Sequence, residues 1–400
     1  MSGGARAPTL PAMRPLVMIP GPIEVDDAVV AALGRSPKSH LDPEILETFG
    51  RALERLKDVF LAPRGQPFVV AGSGTLAMEM AVANLVEAGD RAVVVDIGYF
   101  GARMATILER HGASVTRVSA KPGAVPSSAE VAAALDAAPS KLLAITHVDT
   151  STAARADVAA LAHLGHERGV LVVVDGVCSV GGEELRQEEW HVDVALTASQ
   201  KAIGAPPGLA LLVASERAME AWRARKSKVG SYYADFGEWL PIMQAYAARK
   251  PMYFATPAVN LIEALDASLG LLLAEGMESR FRTHARTARA FRAAWKALEL
   301  RPVPTTEAAS ANTLSALYYP QGVGPTLVGA VRAEGVVIAG CLHAELGPKY
   351  FRVGHMGLCR PADVLATVGA IERALAKLGH APQAMGAAVA AAEAVLAAEG

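Results

Sequence analysis

The 400-residue sequence is short of cysteine and of net charge, and it has no long apolar run. Its three cysteines, Cys178, Cys341 and Cys359, form no C-x-x-C pair and leave an odd number, so neither a zinc site nor a disulfide framework is indicated. Lysine plus arginine (38) against aspartate plus glutamate (40) gives a formal charge of −2, and no basic cluster supplies a local footprint for nucleic acid. The longest uncharged stretch, residues 308–331, is interrupted by Asn312, Pro320, Gly322, Gly324 and Pro325 and makes a poor membrane span. The N-terminus, MSGGARAPTLPAMRP, lacks the apolar core of a secretory signal. GxxxxGK[ST], HExxH and GxSxG are all missing, and Ser73 in AGSGT lacks the nucleophile-elbow spacing. What remains is a soluble, cytoplasmic globular protein, no membrane or nucleic-acid binder. Its 52% apolar residues suffice for a large core in one large or two medium domains.

Between residues 67 and 215, short β-branched runs alternate with helical patterns. The runs are PFVVA (67–71), AVVVDI (92–97), SVTRV (114–118), KLLAITHV (141–148), VLVVVDGV (170–177), DVALTA (193–198) and LALLVA (209–214). Such alternation predicts an α/β fold with a mainly parallel seven-stranded sheet covered on both faces. Asp42-Pro43 marks a helix start, Ser127-x-x-Glu130 a capping box, and Gly112 and Gly169 helix ends. Past Pro257 the pattern changes to long helices (259–275 and about 279–298), a strand–helix–strand region and a helix near 361–378. The expected division is an N-terminal arm (1–22), a large domain (23–270) and a smaller C-terminal α+β domain (271–400). The alanine-rich last twenty residues are expected to form one amphipathic helix without chemistry.

In a parallel α/β sheet, ligands gather outside the carboxyl ends of the strands, so the residues just past each run matter most. Four places stand out. AGSGTLAMEMAV (71–82) leads through small residues into a helix N-terminus, a cradle suited to phosphate. The same stretch is also compatible with a bare strand–helix turn. It fits a dinucleotide fingerprint too, Gly72-x-Gly74-x-x-Ala77 with Asp96 ending the next strand, which argues for an NAD-dependent dehydrogenase. VLVVVDGVCSVGG (170–182) ends a buried strand on Asp175, either a turn cap or a carboxylate that keeps a heterocyclic nitrogen protonated. DVALTASQKAIGAPPG (193–208) delivers Lys201 among small hydroxyls, suited to Schiff-base chemistry, although an isolated lysine is usually a surface residue. PKYFRVGHMG (348–357) sets Arg352 inside an apolar strand, for either a substrate carboxylate or a structural salt bridge. His147 and Asp149 end a strand near the cleft, His147 as a packed, hydrogen-bonded ring; Cys341 lies in a glycine-rich turn, better read as structural than nucleophilic.

Taken in order, IPGPIEV (19–25), AGSGTLAMEMAVANLVEAGD (71–90), THVDTST (146–152), VVVDGVCSVGG (172–182), TASQKAIGAPPG (197–208), MYFATPAVNLI (252–262) and YFRVGHMG (350–357) resemble the class V family of pyridoxal-phosphate (PLP) aminotransferases. Within it, the alanine–glyoxylate and serine–pyruvate aminotransferases are the nearest in pattern. The resemblance implies a type I PLP-transferase fold, like that of aspartate aminotransferase, and a homodimer with shared active sites. It implies that Lys201 forms the Schiff base with PLP and shuttles the proton, and that Asp175 pairs with the pyridinium nitrogen. Ser73, Gly74, Thr75 and Gln200 would hold the phosphate, Phe100 would stack on the ring, Val177 would be among the cofactor-binding residues, and Ser151 would lie beside the ring hydroxyl. Tyr253 and Thr256 would reach the neighbouring subunit's phosphate, while Arg352, Gly21 and Ser151 would meet the substrate.

Three departures bear on specificity. Thr75 stands where relatives often have His, and Phe100 where many have Trp. Ala153-Ala154-Arg155 follows Ser151-Thr152 where relatives have Gly-Val, and Arg155 either contacts an acidic group or, the favoured expectation, is solvated on the following helix. The expected reaction is ping-pong transfer from alanine or serine to glyoxylate or pyruvate. The alternative is another amine donor, such as pyridoxamine or aminoethylphosphonate, with pyruvate. A cysteine desulfurase would need a mobile nucleophilic cysteine, and the surroundings of Cys341 do not match that family's loop. A binding module without catalysis has little use for a Schiff-base lysine beside a carboxylate clamp.

Overall fold

A run of β-branched residues buried on both faces needs a neighbour on each side, and the strands meet that need. The computed structural model describes residues 14–380 and 384–398. Its strands are β1 (Leu16–Val17), β2 (Gln66–Ala71), β3 (Arg91–Asp96), β4 (Ser114–Ser119), β5 (Leu142–Thr146), β6 (Leu171–Asp175), β7 (Val194–Ala198), β8 (Leu209–Ala214), β9 (Leu314–Tyr318), β10 (Val336–Val337) and β11 (Tyr350–Gly354). Seven of them form one sheet of order β2-β8-β7-β6-β5-β3-β4. Only β8 runs antiparallel to its neighbours β2 and β7; the remaining pairs are parallel. Every residue of β5, β6, β7 and β8 is buried, which is why these runs carry no alternation. The polar strand β4 sits at the edge.

The local signals act as expected. The Asp42 side chain accepts from Glu44 N at the start of helix Pro43–Val59, and Ser127 with Glu130 closes a capping box. Gly112 and Gly169 adopt φ of +83° and +69° just past helix ends.

Beyond helix Val259–Glu275, the chain turns at Gly276 (φ +79°) into helix Met277–Ala297, two residues earlier than the expected start near 279. The antiparallel pair β9–β11 and helices Thr326–Ala333, Pro361–Lys377 and Ala387–Ala398 complete this layer. The last helix buries Ala388 and Ala392, one turn apart; the other five of the final twenty residues, 381–383 and 399–400, lie outside the described residues. One apolar cluster runs from Leu46 to Met277. A second joins Phe291, Trp295, Leu317, Phe351 and Ile371 with Met18 from the other end of the chain. Pairing of β1 with β10 fixes that crossing, so residues 14–18 pack with the C-terminal layer before Pro20 and Gly21 enter the cleft. Residues 1–13 of the expected arm lie outside the described residues. Among the described residues no helix is long and apolar enough to cross a membrane.

Chain order reverses between the adjacent parallel strands β3 and β5. A crevice therefore opens at their carboxyl ends, where ligands of α/β sheets bind.

Candidate active site

Asp175 ends β6 with Thr146 of β5 on one side and Leu196 of β7 on the other, so its carboxylate sits at the head of the fully buried part of the sheet. Burial pushes its pKa up to about 6, a rise opposed by the Val177 N–H and assisted by Asp149, with Arg103 and Lys201 adding smaller opposing charge. Among the described residues, its one hydrogen-bond donor is Val177 N at 3.0 Å, so a buried acid is left asking for a cation or donor.

Lys201 follows β7, 8% exposed, with its ammonium donating to the Pro20 carbonyl. Gly21 lies against this side chain. A Cβ there would come 2.6 Å from Lys201 Cδ, so residue 21 has no room for a side chain. Two residues of helix Met277–Ala297 clamp the surroundings. Arg280 donates to Gly181 O at 2.5 Å, in the turn after Asp175, and to Ala202 O at 2.9 Å, next to Lys201. One turn on, the neutral His284 accepts from Gly357 N at 3.0 Å, just past β11; burial lowers its pKa to about 3.

Helix Gly74–Leu85 begins at Ser73 with no side chain capping its N-terminus. Ser73 and Thr75 are exposed, and a Cβ on Gly74 would come 2.9 Å from Val177 Cγ2, so Val177 packs beside this cradle. Thr75 Oγ1 accepts from Arg103 at 2.8 Å, and that guanidinium stands 4.7 Å from the Phe100 ring centroid. The Gln200 Oε1 atom is buried without a partner among the described residues. Asp149 ties two expected contacts together: it accepts from Phe100 N at 2.8 Å and from Ser151 N and Oγ at 2.8 and 2.5 Å. Tyr99 N in turn donates to Ser151 Oγ at 3.1 Å.

Arg352, on β11, donates to Gly340 O at 2.8 Å and to Thr150 O at 3.2 Å. Among the described residues no carboxylate lies within ion-pair distance of it, so the salt-bridge alternative does not describe this arginine. Tyr253 is 63% exposed, its ring 5.5 Å from that of His40, and Thr256 is exposed on the same segment.

Two expectations need correction. Arg155 is not solvated on a helix; it takes the less favoured alternative, contact with an acid. It precedes helix Val158–Glu167 and pairs at 3.1 Å with Glu183, a fully buried carboxylate that Asn312 also meets through N and Nδ2. Tertiary pairing overrode the local pattern, because a carboxylate inside this turn requires a cation. Arg155→Met should lower the stability of the cofactor-free protein by roughly 2–3 kcal/mol in urea unfolding. This lies below the usual figure for a broken buried pair because Arg155 is itself 33% exposed. His147 is buried as expected, but its Nδ1 has no hydrogen-bond partner among the described residues, and burial takes its pKa to about 3.

The dinucleotide reading also fails on topology. It needs β2 and β3 side by side and parallel, whereas four strands separate them and β2 pairs antiparallel with β8. Asp96 is engaged by Arg117 and by Gly98 N. Sequence reasoning missed Arg280, His284, Glu183 and Asn312. Nothing distinguishes an arginine and a histidine four apart on a charged helix from solvated residues.

A family model of the class V aminotransferases matches residues 28–360. The chain belongs to the class V aminotransferases. Among relatives, it is 38% identical over 362 residues to alanine–glyoxylate aminotransferase 1 of Saccharomyces cerevisiae, covering 86% of this chain and 92% of the yeast protein. It superposes on the crystal structure of pyridoxamine–pyruvate aminotransferase from Mesorhizobium loti with a TM-score of 0.91 and 26% identity, over 98% of this chain and 100% of the other. On that of an alanine–glyoxylate aminotransferase from Nostoc, the TM-score is 0.84 with 31% identity, over 93% and 98%. The fold is that of the type I PLP-dependent aminotransferases, and this aminotransferase uses pyridoxal 5′-phosphate. The residues present fit the cofactor. The enzyme offers a buried carboxylate lacking a donor at one oxygen, a buried amine whose hydrogen bond goes to a carbonyl, and an uncapped helix N-terminus lined by small residues.

Proposed function

We propose that this aminotransferase moves the amino group of a small amino acid, alanine first and serine next, to glyoxylate or pyruvate at one site in two half-reactions. The observation that carries this reading is Arg352, a half-buried guanidinium with two carbonyl partners, 2.8 and 3.2 Å away, and no acid. It offers one planar oxyanion site, as a monocarboxylate requires, and serves each substrate in turn. The likeness to the yeast alanine–glyoxylate enzyme supports the same choice.

PLP, when bound, supplies an electron sink for the pair released as the substrate Cα–H bond breaks. The chain's residues do the rest. The Lys201 amine would hold the cofactor and, when free, would take and return the proton lost from the substrate Cα. Asp175 would accept from the cofactor's ring nitrogen and keep it protonated. Ser73, Gly74, Thr75 and Gln200 hold the phosphate on a helix N-terminus. Phe100 and Val177 would line the cofactor's ring, Ser151 would meet its hydroxyl, and Gly21 leaves space for substrate beside Lys201. Tyr253 and Thr256, exposed in a single chain, serve the neighbouring subunit of a homodimer. Residues 1–22, 23–270 and 271–400 act as arm, large domain and small domain. The three free cysteines suit a reducing, cytoplasmic setting.

Incubating the holoenzyme with alanine and glyoxylate tests the substrate claim. Pyruvate and glycine should accumulate together, and no pyruvate would overturn it. Arg352→Met should raise KM for alanine and for glyoxylate by about 10- to 100-fold in the same assay, with the cofactor spectrum unchanged. A second reading, pyridoxamine as donor to pyruvate, is favoured by the superposition on the M. loti enzyme. Pyridoxamine turnover faster than alanine turnover would decide for it.

A further inference from the structure

A cavity of about 570 Å³, whose lining includes none of Lys201, Asp175 and Arg352, lies between helix Met277–Ala297, β9 and the 302–310 loop. Its size falls within the range of small-molecule sites. Leu314, Ala316, Leu317 and Trp295 supply apolar lining. Arg289, Arg292 and Lys296, on one face of the helix at spacings of three and four, supply cationic lining. Among the described residues, the one acid lining it is Glu307, whose side chain is 78% exposed.

Arg292 is poorly partnered for a half-buried cation. Its Nε has no hydrogen-bond partner among the described residues, and Glu307 Oε1 stands 3.5 Å off. Nη1 and Nη2 reach Asn312 Oδ1 at 3.4 Å, and Nη1 reaches Ala311 O at 3.5 Å. Charge-assisted guanidinium–carboxylate bonds are normally about 2.7–2.9 Å. Asn312 cannot close that gap, because its Nδ2 and N are already committed to Glu183.

We infer that this cavity is a second binding site, for an anion with a flat apolar body, namely an aromatic monocarboxylate. Its carboxylate takes the Arg292 fork in place of Glu307, and its ring lies on the Trp295–Leu314 lining. The site is distinct from the substrate site at Arg352 and does not depend on the proposed amino donor.

Calorimetric titration of the holoenzyme with naphthalene-2-carboxylate, beside its uncharged carboxamide, tests this. The carboxylate should saturate with a Kd below about 1 mM and the carboxamide should bind at least about tenfold more weakly. Arg292→Met should weaken the carboxylate at least about tenfold, and Glu307→Ala, at an exposed position that tolerates change, should tighten it about threefold by removing the competing acid. Arg352→Met should leave binding unchanged. Absence of saturable binding, equal binding of the carboxamide, or loss of binding in Arg352→Met would overturn the inference. The last result would also place the probe in the substrate site, leaving the proposed transaminase function intact.

Discussion

Lys201→Ala should fold, bind PLP weakly and lose turnover by about ten-thousand-fold or more, because the covalent anchor and proton carrier proposed for this residue vanish together. The side chain is 8% exposed, so truncation leaves a space there, but its ammonium reaches one carbonyl among the described residues and Arg103 remains as a cation facing Asp175. The Gly21 backbone against it gains space and needs no rearrangement. Far-UV circular dichroism should match wild type. The yellow colour of the purified protein should fade on dialysis in the variant and persist in wild type, where the cofactor is covalently held. A variant that turns over alanine at a tenth of the wild-type rate would contradict the assignment.

Asp175→Asn should lower kcat on the order of 100- to 1,000-fold, the scale of losing one preorganised electrostatic partner in a buried site. The same change should leave a second signature in the cofactor-free protein. The Asp175 carboxyl titrates at about 6 in the folded chain because burial penalises its charge. The folded state thus holds a proton more tightly than the unfolded one. Its contribution to stability is present at low pH and lost as pH rises from about 4 through about 6. The full difference is roughly 3 kcal/mol, of which about 1.4 kcal/mol falls between pH 5 and pH 8. Urea unfolding of apo wild type and apo Asp175→Asn at those two pH values isolates it. His147, His284 and His355, pushed down to about 3 by burial, titrate alike in both proteins and cancel. Wild type should lose about 1.4 kcal/mol relative to the variant on going to pH 8. Identical pH dependence in the two proteins would mean that Asp175 is not the strained acid described above.

The parts of the fold that were legible share one property: their signal is local. Buried strands such as Val170–Val174 declare themselves by apolar continuity, and Asp42-Pro43, Ser127–Glu130, Gly112 and Gly169 satisfy backbone groups within a turn of where they stand. The carboxyl-end rule then located Asp175 and Lys201, and Arg352 stood out as a charge in an apolar strand. What stayed hidden was carried by long-range partners. Arg155 looked like a solvated residue because Glu183, 28 positions on, gives no sign that it will be buried. Arg280 and His284 look like ordinary helix surface until the helix is laid against Ala202 and Gly357. The GxGxxA match around Gly72 misled for the same reason, since it describes a turn and is silent on which strands become neighbours.

Borohydride reduction of the PLP-loaded protein, followed by tryptic mapping, addresses the covalent attachment itself. Reduction should fix one cofactor per chain and block cleavage at the modified lysine, so that a single phosphopyridoxyl peptide spanning residues 187–217 appears, with the group on Lys201. A phosphopyridoxyl group recovered on any other lysine, with Lys201 cleaved normally, would contradict the site described above.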